Sequence, residues 1–307
     1  MGSEEQLRSL ISELKIMIHL GRHNNLLSVI GAVTKNLKYG SLYIITEYCQ
    51  HGNLKNFLQK IRLMLLIQKA EEKKHLSKSN ARHHPNLKNY HKRKPNYEND
   101  HGDDDNNNDD DNDNVNNNND DDDDDDDDQL LLVDLYNMAY QIAKGLDYLS
   151  SKKYIHRDIA ARNVLVTESR TMKLCDFGLA KDCYKTEEYK KKSTTPVPIK
   201  WMALESLSKN IYTLQSDVWS FGVLLWEIFT LGSSNPYSGL VMDKTFLDRL
   251  QEGYRLEKPS LADKEIYNLM ICCWRNEPNE RPNSTQLVTT ISSILMKKYQ
   301  TVGWLAG

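Results

Sequence analysis

The chain has 307 residues, 39% hydrophobic and 27% charged, which suits one large or two small folded domains and excludes a collagen-like or wholly disordered polymer. Its formal net charge of −3 averages two unlike parts: residues 103–128 are 16 Asp, 9 Asn and Val115, and the rest sets 40 basic against 27 acidic residues. No apolar run reaches the roughly 20 residues of a bilayer-spanning helix, so no membrane contact is expected from the chain itself.

Residues 1–20 begin without a signal-peptide pattern, and Gln6 stands where a myristoylation signal carries Ser or Thr. Leu7, Leu10, Leu14, Met17 and Ile18 recur three and four apart, predicting an amphipathic helix. Residues 26–33 and 42–46 are short β-branched runs on either side of a turn at Gly40, and read as strands. Residues 53–66 return to helical spacing and fade into 69–74.

Between 69 and 129 apolar residues become sparse. A basic stretch (Lys73, Lys74, Lys78, Arg82, Lys88, Lys92, Arg93, Lys94) precedes the Asp/Asn run. Such a segment buries too little surface to offset its ordering entropy, so a disordered insertion is expected. His75, His83, His84, His91 and His101 within it read as solvated filler in preference to a metal site. Attraction between its basic and acidic halves would fold it loosely back on itself, weakened by salt.

Order resumes with Leu135, Met138, Ile142, Leu146 and Leu149 on one helical face. Residues 164–166 and 172–174 are two short strands around a polar turn. After Trp201 the pattern is mostly helical and includes a buried-looking stretch at 217–231. The predicted organisation is a small strand-and-helix unit (1–68), the insertion (69–129), a larger helical unit (130–300) and a tail (301–307). Cys49, Cys175, Cys183, Cys272 and Cys273 form no C-x-x-C pair, which fits a reduced compartment without a zinc site.

The chemistry-bearing pattern is His156-Arg157-Asp158-Ile159-Ala160-Ala161-Arg162-Asn163, followed by Asp176-Phe177-Gly178 thirteen residues after Asn163, with the two short strands between. This combination resembles the catalytic core of protein kinases. The resemblance implies an α+β, bilobal protein kinase-like fold with a truncated small N-lobe and a complete, mainly helical C-lobe. It implies ATP and Mg²⁺ as cofactors. Asp158 would accept the substrate hydroxyl proton, and Asn163 and Asp176 would supply hard oxygen ligands to the metal. Phe177 would pack under the regulatory helix.

Arg162 stands where the receptor tyrosine kinase pattern has Arg, and Ala160 where Ser/Thr kinases have Lys. Pro198-Ile199-Lys200-Trp201-Met202 is similar to the platform under a substrate phenol ring. Tyrosine-containing protein substrates follow from both. Tyr184 and Tyr189 are spaced from Asp176 like the autophosphorylation tyrosines of vascular endothelial growth factor receptors, and Arg157 with nearby lysines would bind their phosphates. Glu205 should pair with Arg281, although Leu204 replaces the family's Pro, and Asp217 matches the helix that braces the catalytic loop.

Upstream, residues 10–17 resemble the regulatory helix, with Glu13 as partner of an ATP-binding lysine. Residues 42–47 match the strand into the hinge, with Thr46 as gatekeeper, Glu47, Tyr48 and Cys49 offering backbone groups to adenine, and Leu165 as the pocket floor. The insertion lies where platelet-derived, vascular endothelial and fibroblast growth factor receptors split their kinase. Cys175 and the Lys181-Asp182-x-Tyr184 run resemble the first two classes. The family implies self-association of a full-length receptor and a place on the cytoplasmic side of the plasma membrane.

Neither G-x-G-x-x-G nor V-A-x-K is present, and no lysine precedes Glu13. The chain therefore reads as starting just before the regulatory helix, without three small-lobe strands. Two functions stand: a protein-tyrosine kinase, or a non-catalytic kinase-like scaffold or regulatory module. Asp158, Asn163 and Asp176 together favour the first. These 307 residues alone are expected to have little activity and an exposed small-lobe edge. Outside 69–129 the balance is 31 basic against 23 acidic residues, but no nucleic-acid motif accompanies it, so nucleic acid is not an expected partner.

Overall fold

The computed structural model describes residues 4–82, 122–183, 189–190 and 197–301. Helix α1 (Glu4–Leu20) turns Ile16, Met17 and Leu20 into the core. Strands β1 (Val29–Val33) and β2 (Tyr43–Thr46) pair antiparallel. A short 3-10 turn, Leu37–Tyr39, joins them and ends on Gly40 at φ 85°, a left-handed conformation that favours glycine. One face of this ribbon, Ile30, Val33, Tyr43 and Ile45, is exposed.

The first predicted strand starts later than its apolar pattern. Leu26 and Leu27 lie along β5 (Met172–Leu174): Leu27 N–H donates to the Leu174 carbonyl at 2.8 Å, and Leu174 N–H donates to the Asn25 carbonyl at 2.9 Å. Their β pattern serves a different partner and ties the two lobes together. Gly145 permits this approach, since a Cβ there would sit 2.8 Å from the Asn25 carbonyl oxygen.

Helix α2 (Leu54–Arg82) buries Leu54 and Leu58 and continues well past the point where its apolar pattern fades. Once packing has nucleated a helix, good formers such as Gln68, Lys69, Ala70 and Glu71 extend it at little cost. Helix α3 (Asp122–Ser151) likewise begins inside the acidic run. Residues 69–82 and 122–129 are thus helical, which differs from the irregular structure expected of them. The rest of the insertion, 83–121, lies outside the described residues.

Beyond α3, among the described residues, β3 (Tyr154–Ile155) pairs antiparallel with β6 (Lys181–Asp182), β4 (Val164–Val166) with β5, and β7 (Tyr189–Lys190) with β8 (Ile211–Tyr212). Helices α4 (Leu204–Lys209), α5 (Leu214–Phe229), α6 (Lys244–Gln251), α7 (Lys264–Cys273) and α8 (Ser284–Thr301) complete the large lobe. Its axis is α5, buried from Ser216 to Phe229 and started by a Thr213–Ser216 capping box. Helix α3 packs on α8, and α5 on α7. The two predicted central strands, β4 and β5, fall where their patterns placed them.

Leu204 occupies the first turn of α4, the position where a proline's missing N–H is harmless, and the helix forms without it. Glu205 and Arg281 form the expected bidentate pair, at 2.7 and 2.8 Å, with the Arg281 side chain fully buried. Arg281 also donates to the carbonyls of Gln215, Arg275 and Asn276. Removing Glu205 would strand a buried guanidinium. Glu205→Ala is expected to lower unfolding free energy by about 3–5 kcal/mol in urea titrations, with Glu205→Ala/Arg281→Met recovering part of the loss. A loss below about 1 kcal/mol would mean that the pair is effectively solvated.

Candidate active site

The loop between β3 and β4 carries the candidate base. Its course is set by α5: Asp217 is buried, and its two carboxylate oxygens accept the His156 and Arg157 amides at 2.6 and 2.8 Å. Arg157 takes a left-handed φ of 71°, which is costly for a residue with a Cβ and persists because these bonds hold it. His156 is fully buried, with Nε2 3.1 Å from the Cys175 carbonyl and Nδ1 accepting the Asp158 amide at 3.3 Å. Those partners call for a proton on Nε2 only. Burial lowers the imidazole's pKa in the same sense, against the Asp158 and Asp176 charges.

Asp158 is thereby turned toward the cleft with its side chain 13% exposed, and Arg162 forms an ion pair with it. Asn163 donates through Nδ2 to the Asp158 carbonyl at 2.9 Å, and its own carbonyl accepts the Cys175 amide at 3.0 Å. This places Asn163 beside the start of the Asp176-Phe177-Gly178 turn. Asp176, also left-handed at φ 63°, presents an exposed carboxylate, whereas Phe177 is buried against the His156 ring at 5.4 Å. The structure therefore brings Asp158, Arg162, Asn163 and Asp176 together.

Helix α1 packs on this turn, as expected for Phe177 under the regulatory helix. Burial and then the Asp176 charge raise the Glu13 carboxyl pKa, opposed in part by the nearby Phe177 amide dipole. At the other wall, Cys49 is buried and Tyr48 is exposed. Glu47 is engaged through its side chain within the small lobe and with β5. Its carboxylate accepts the Ser28 amide at 2.8 Å and pairs with Lys173 at 2.9 Å, while its amide donates to the Ser28 carbonyl at 3.2 Å. Burial opposes ionisation, but Lys173 and Ser28 outweigh it and pull the carboxyl below the usual range. Thr46 ends β2, and Leu165 on β4 bridges to Asn53, so both line the route from hinge to catalytic loop.

Arg157 is engaged on the far side of the loop. Its guanidinium lies 4.3 Å over the Tyr212 ring and donates to the Leu179 carbonyl at 3.0 Å. Tyr189 pairs through its backbone with Tyr212, but its side chain, and all of Tyr184, lie outside the described residues. Burial pushes the Cys175 thiol up to about 12, so it is an unreactive neighbour of Asp176. All five cysteines are free.

Trp201, within the expected acceptor platform, stacks under Arg162 at 4.3 Å. Sequence reasoning missed what holds it. The Trp201 indole donates to Glu227 Oε2 at 2.9 Å, and the same oxygen accepts the Ala161 amide at 2.9 Å. A signal was available: Glu227 is an acid inside an otherwise apolar helical run, and a buried acid needs partners.

Residues 1–291 match the family described as protein tyrosine and serine/threonine kinase. The chain belongs to that family. It is 39% identical over 306 residues to vascular endothelial growth factor receptor 1 of Homo sapiens, covering 98% of this chain and 22% of that receptor. It is 40% identical over 302 residues to a kdr-like vascular endothelial growth factor receptor of Danio rerio, covering 98% and 23%. Platelet-derived growth factor receptor alpha of Takifugu rubripes is 40% identical over 332 residues, covering 97% and 30%. The chain thus spans less than a third of the length of these relatives, and its likeness is to the receptor tyrosine kinases. Among the described residues no helix is long and apolar enough to cross a membrane.

The bracing acid makes stability depend on pH. Burial pushes the Asp217 carboxyl up to about 7, outweighing its two amide bonds and the Arg157 charge. A folded value above the unfolded one, about 4, means that folding takes up a proton between the two. The contribution is fully present below about pH 4 and lost as pH rises through about 7. The stability of the wild type relative to Asp217→Asn should therefore fall between pH 5 and 7.5 in urea unfolding; a difference that is flat with pH would mean that Asp217 stays ionised throughout.

Proposed function

We propose that the chain is the catalytic domain of a receptor-type protein-tyrosine kinase, which transfers the γ-phosphate of ATP to tyrosine hydroxyls of protein substrates. The observation that carries this reading is the convergence of Asp158, Asn163 and Asp176 in one cleft, with Arg162 and Trp201 forming its floor on the acceptor side. Asp176 and Asn163 offer one carboxylate and one amide oxygen. That set suits Mg²⁺, which keeps waters and takes its remaining oxygens from phosphate. When bound, MgATP supplies the phosphoryl group and neutralises its developing charge.

The chain's own residues do the rest by positioning. Asp158 orients the acceptor hydroxyl and takes its proton, while Arg162 keeps that carboxylate aimed. The Trp201 ring and the Arg162 guanidinium give a flat, cationic surface for a phenol, and a serine side chain is too short to reach across it. Glu47, Tyr48 and Cys49 hold adenine through backbone groups, with Thr46 and Leu165 shaping the pocket. Glu13 stands ready for a cation, since a positive charge beside it would offset the burial and repulsion that raise its pKa.

The sequence holds no Gly-rich loop and no lysine before Glu13, so weak transfer is expected from these 307 residues alone. Phosphates on Tyr184 and Tyr189 would compete for Arg157 with its present partners. Self-association of a longer receptor, on the cytoplasmic side of the plasma membrane, would bring two such domains within reach of each other.

The test is incorporation of phosphate into a Glu–Tyr copolymer by the chain, and by a fusion carrying the small-lobe strands of a related receptor kinase ahead of Glu4. The fusion should be faster, and Asp158→Asn should lower its rate by about 10²–10⁴. Equal rates for wild type and Asp158→Asn would refute the catalytic assignment and favour a scaffold.

A further inference from the structure

Helix α5 carries a second buried acid whose place in the site no motif assigns. Glu227 is 3% exposed in a stretch where Leu224, Leu225, Ile228 and Phe229 are fully buried. An acid there costs several kcal/mol unless hydrogen bonds and charge compensate it. Both donors that compensate it come from the active site. The Ala161 amide and the Trp201 indole reach the same Oε2 atom, each at 2.9 Å, from segments forty residues apart. The Arg162 and Lys55 charges also favour its ionised form, although burial still raises its pKa.

Resting on the kinase reading, we infer that Glu227 is a positioning residue for the tyrosine acceptor: one oxygen locks the Trp201 ring to the catalytic loop and so holds Arg162 between the acceptor ring and Asp158. The route is continuous. Glu227 fixes the indole, the indole lies 4.3 Å beneath the Arg162 guanidinium, and Arg162 pairs with the Asp158 carboxylate. Loss of the bond at Nε1 lets the ring swing and takes the floor from under Arg162. The peptide backbone stays put, because Ser220 Oγ separately donates to the Trp201 carbonyl at 2.7 Å. At Trp201 Glu227 therefore controls the ring and not the course of the backbone, while its bond to the Ala161 amide ties that ring to the catalytic loop, so its effect falls on the acceptor side of the reaction. Nothing in this chain of contacts touches the hinge residues or Asp176.

The experiment pairs Glu227→Gln with Glu227→Ala and Trp201→Phe. On the full chain, a two-dimensional ¹⁵N spectrum follows the Trp201 indole, assigned by Trp201→Phe, while the Glu–Tyr copolymer is titrated in. Both Glu227 variants should shift that resonance, and Glu227→Ala should weaken copolymer binding about tenfold. Glu227→Gln, which keeps an acceptor oxygen and the volume, should recover part of the loss. On the active fusion, Glu227→Ala should raise the KM for copolymer about tenfold while leaving the KM for ATP within about twofold. Adding Trp201→Phe should make matters no worse, as expected of two ends of one bond.

A purely structural role would instead lower the folded fraction and leave both KM values unchanged, which overturns the inference. Copolymer binding equal to wild type in both Glu227 variants overturns it as well, with the kinase reading still judged by Asp158→Asn. A wild-type chain and fusion that neither bind nor phosphorylate the copolymer would refute the kinase reading itself, and the inference with it.

Discussion

An ionisable group inside an apolar helix loses its hydration, and the protein must replace that hydration with fixed dipoles. Helix α5 does so twice for one loop. Asp217 near its start gathers the amides of His156 and Arg157, and Glu227 near its end gathers the amide of Ala161. The catalytic loop is thus suspended from two buried carboxylates on one rigid rod, and Asp158 lies between the suspension points. The left-handed turn at Arg157, the ion pair with Arg162 and the contact with Asn163 are available only while that suspension holds. The rod itself is anchored by a capping box, and Arg281, which grips the Gln215 carbonyl, connects its first turn to Glu205.

The small lobe meets this frame through few but directional contacts. Segment 25–27 runs along β5, whose far end leads directly into Asp176. Lys173 on β5 faces Glu47 at the hinge, so the strand that delivers the metal-binding candidate also carries a charge contact to the adenine side of the cleft. Helix α1, which carries Glu13, completes the enclosure by packing on the Phe177–Leu179 turn. Hinge, regulatory helix and catalytic turn are therefore mechanically linked through β5 and the residue following it.

Much of this was readable in sequence because it depends on local spacing. Asp158, Asn163 and Asp176 converge since β4 and β5 form a hairpin, and the apolar patterns at 164–166 and 172–174 already specify that hairpin. The Glu205–Arg281 pair was equally legible, through the family pattern around each residue. What escaped was set by non-local packing. The β pattern at Leu26 and Leu27 signals an extended segment but not that its partner is β5 rather than β2. The extents of α2 and α3 depend on helix propagation from packed turns, which a polar sequence does not advertise. The pairing of the Glu47 carboxylate with Lys173 has no local signal either. The contacts of Arg157 with the Tyr212 ring and the Leu179 carbonyl are likewise non-local.

One residue of the catalytic loop has an effect through what it does not do. A histidine two positions from a catalytic carboxylate would ordinarily change charge across the range in which cells acidify, and the field at that carboxylate would change with it. His156 is held between a carbonyl and an amide, with its pKa lowered by burial, and so behaves as a fixed dipole. The electrical surroundings of Asp158 are in this respect insulated from swings in acidity.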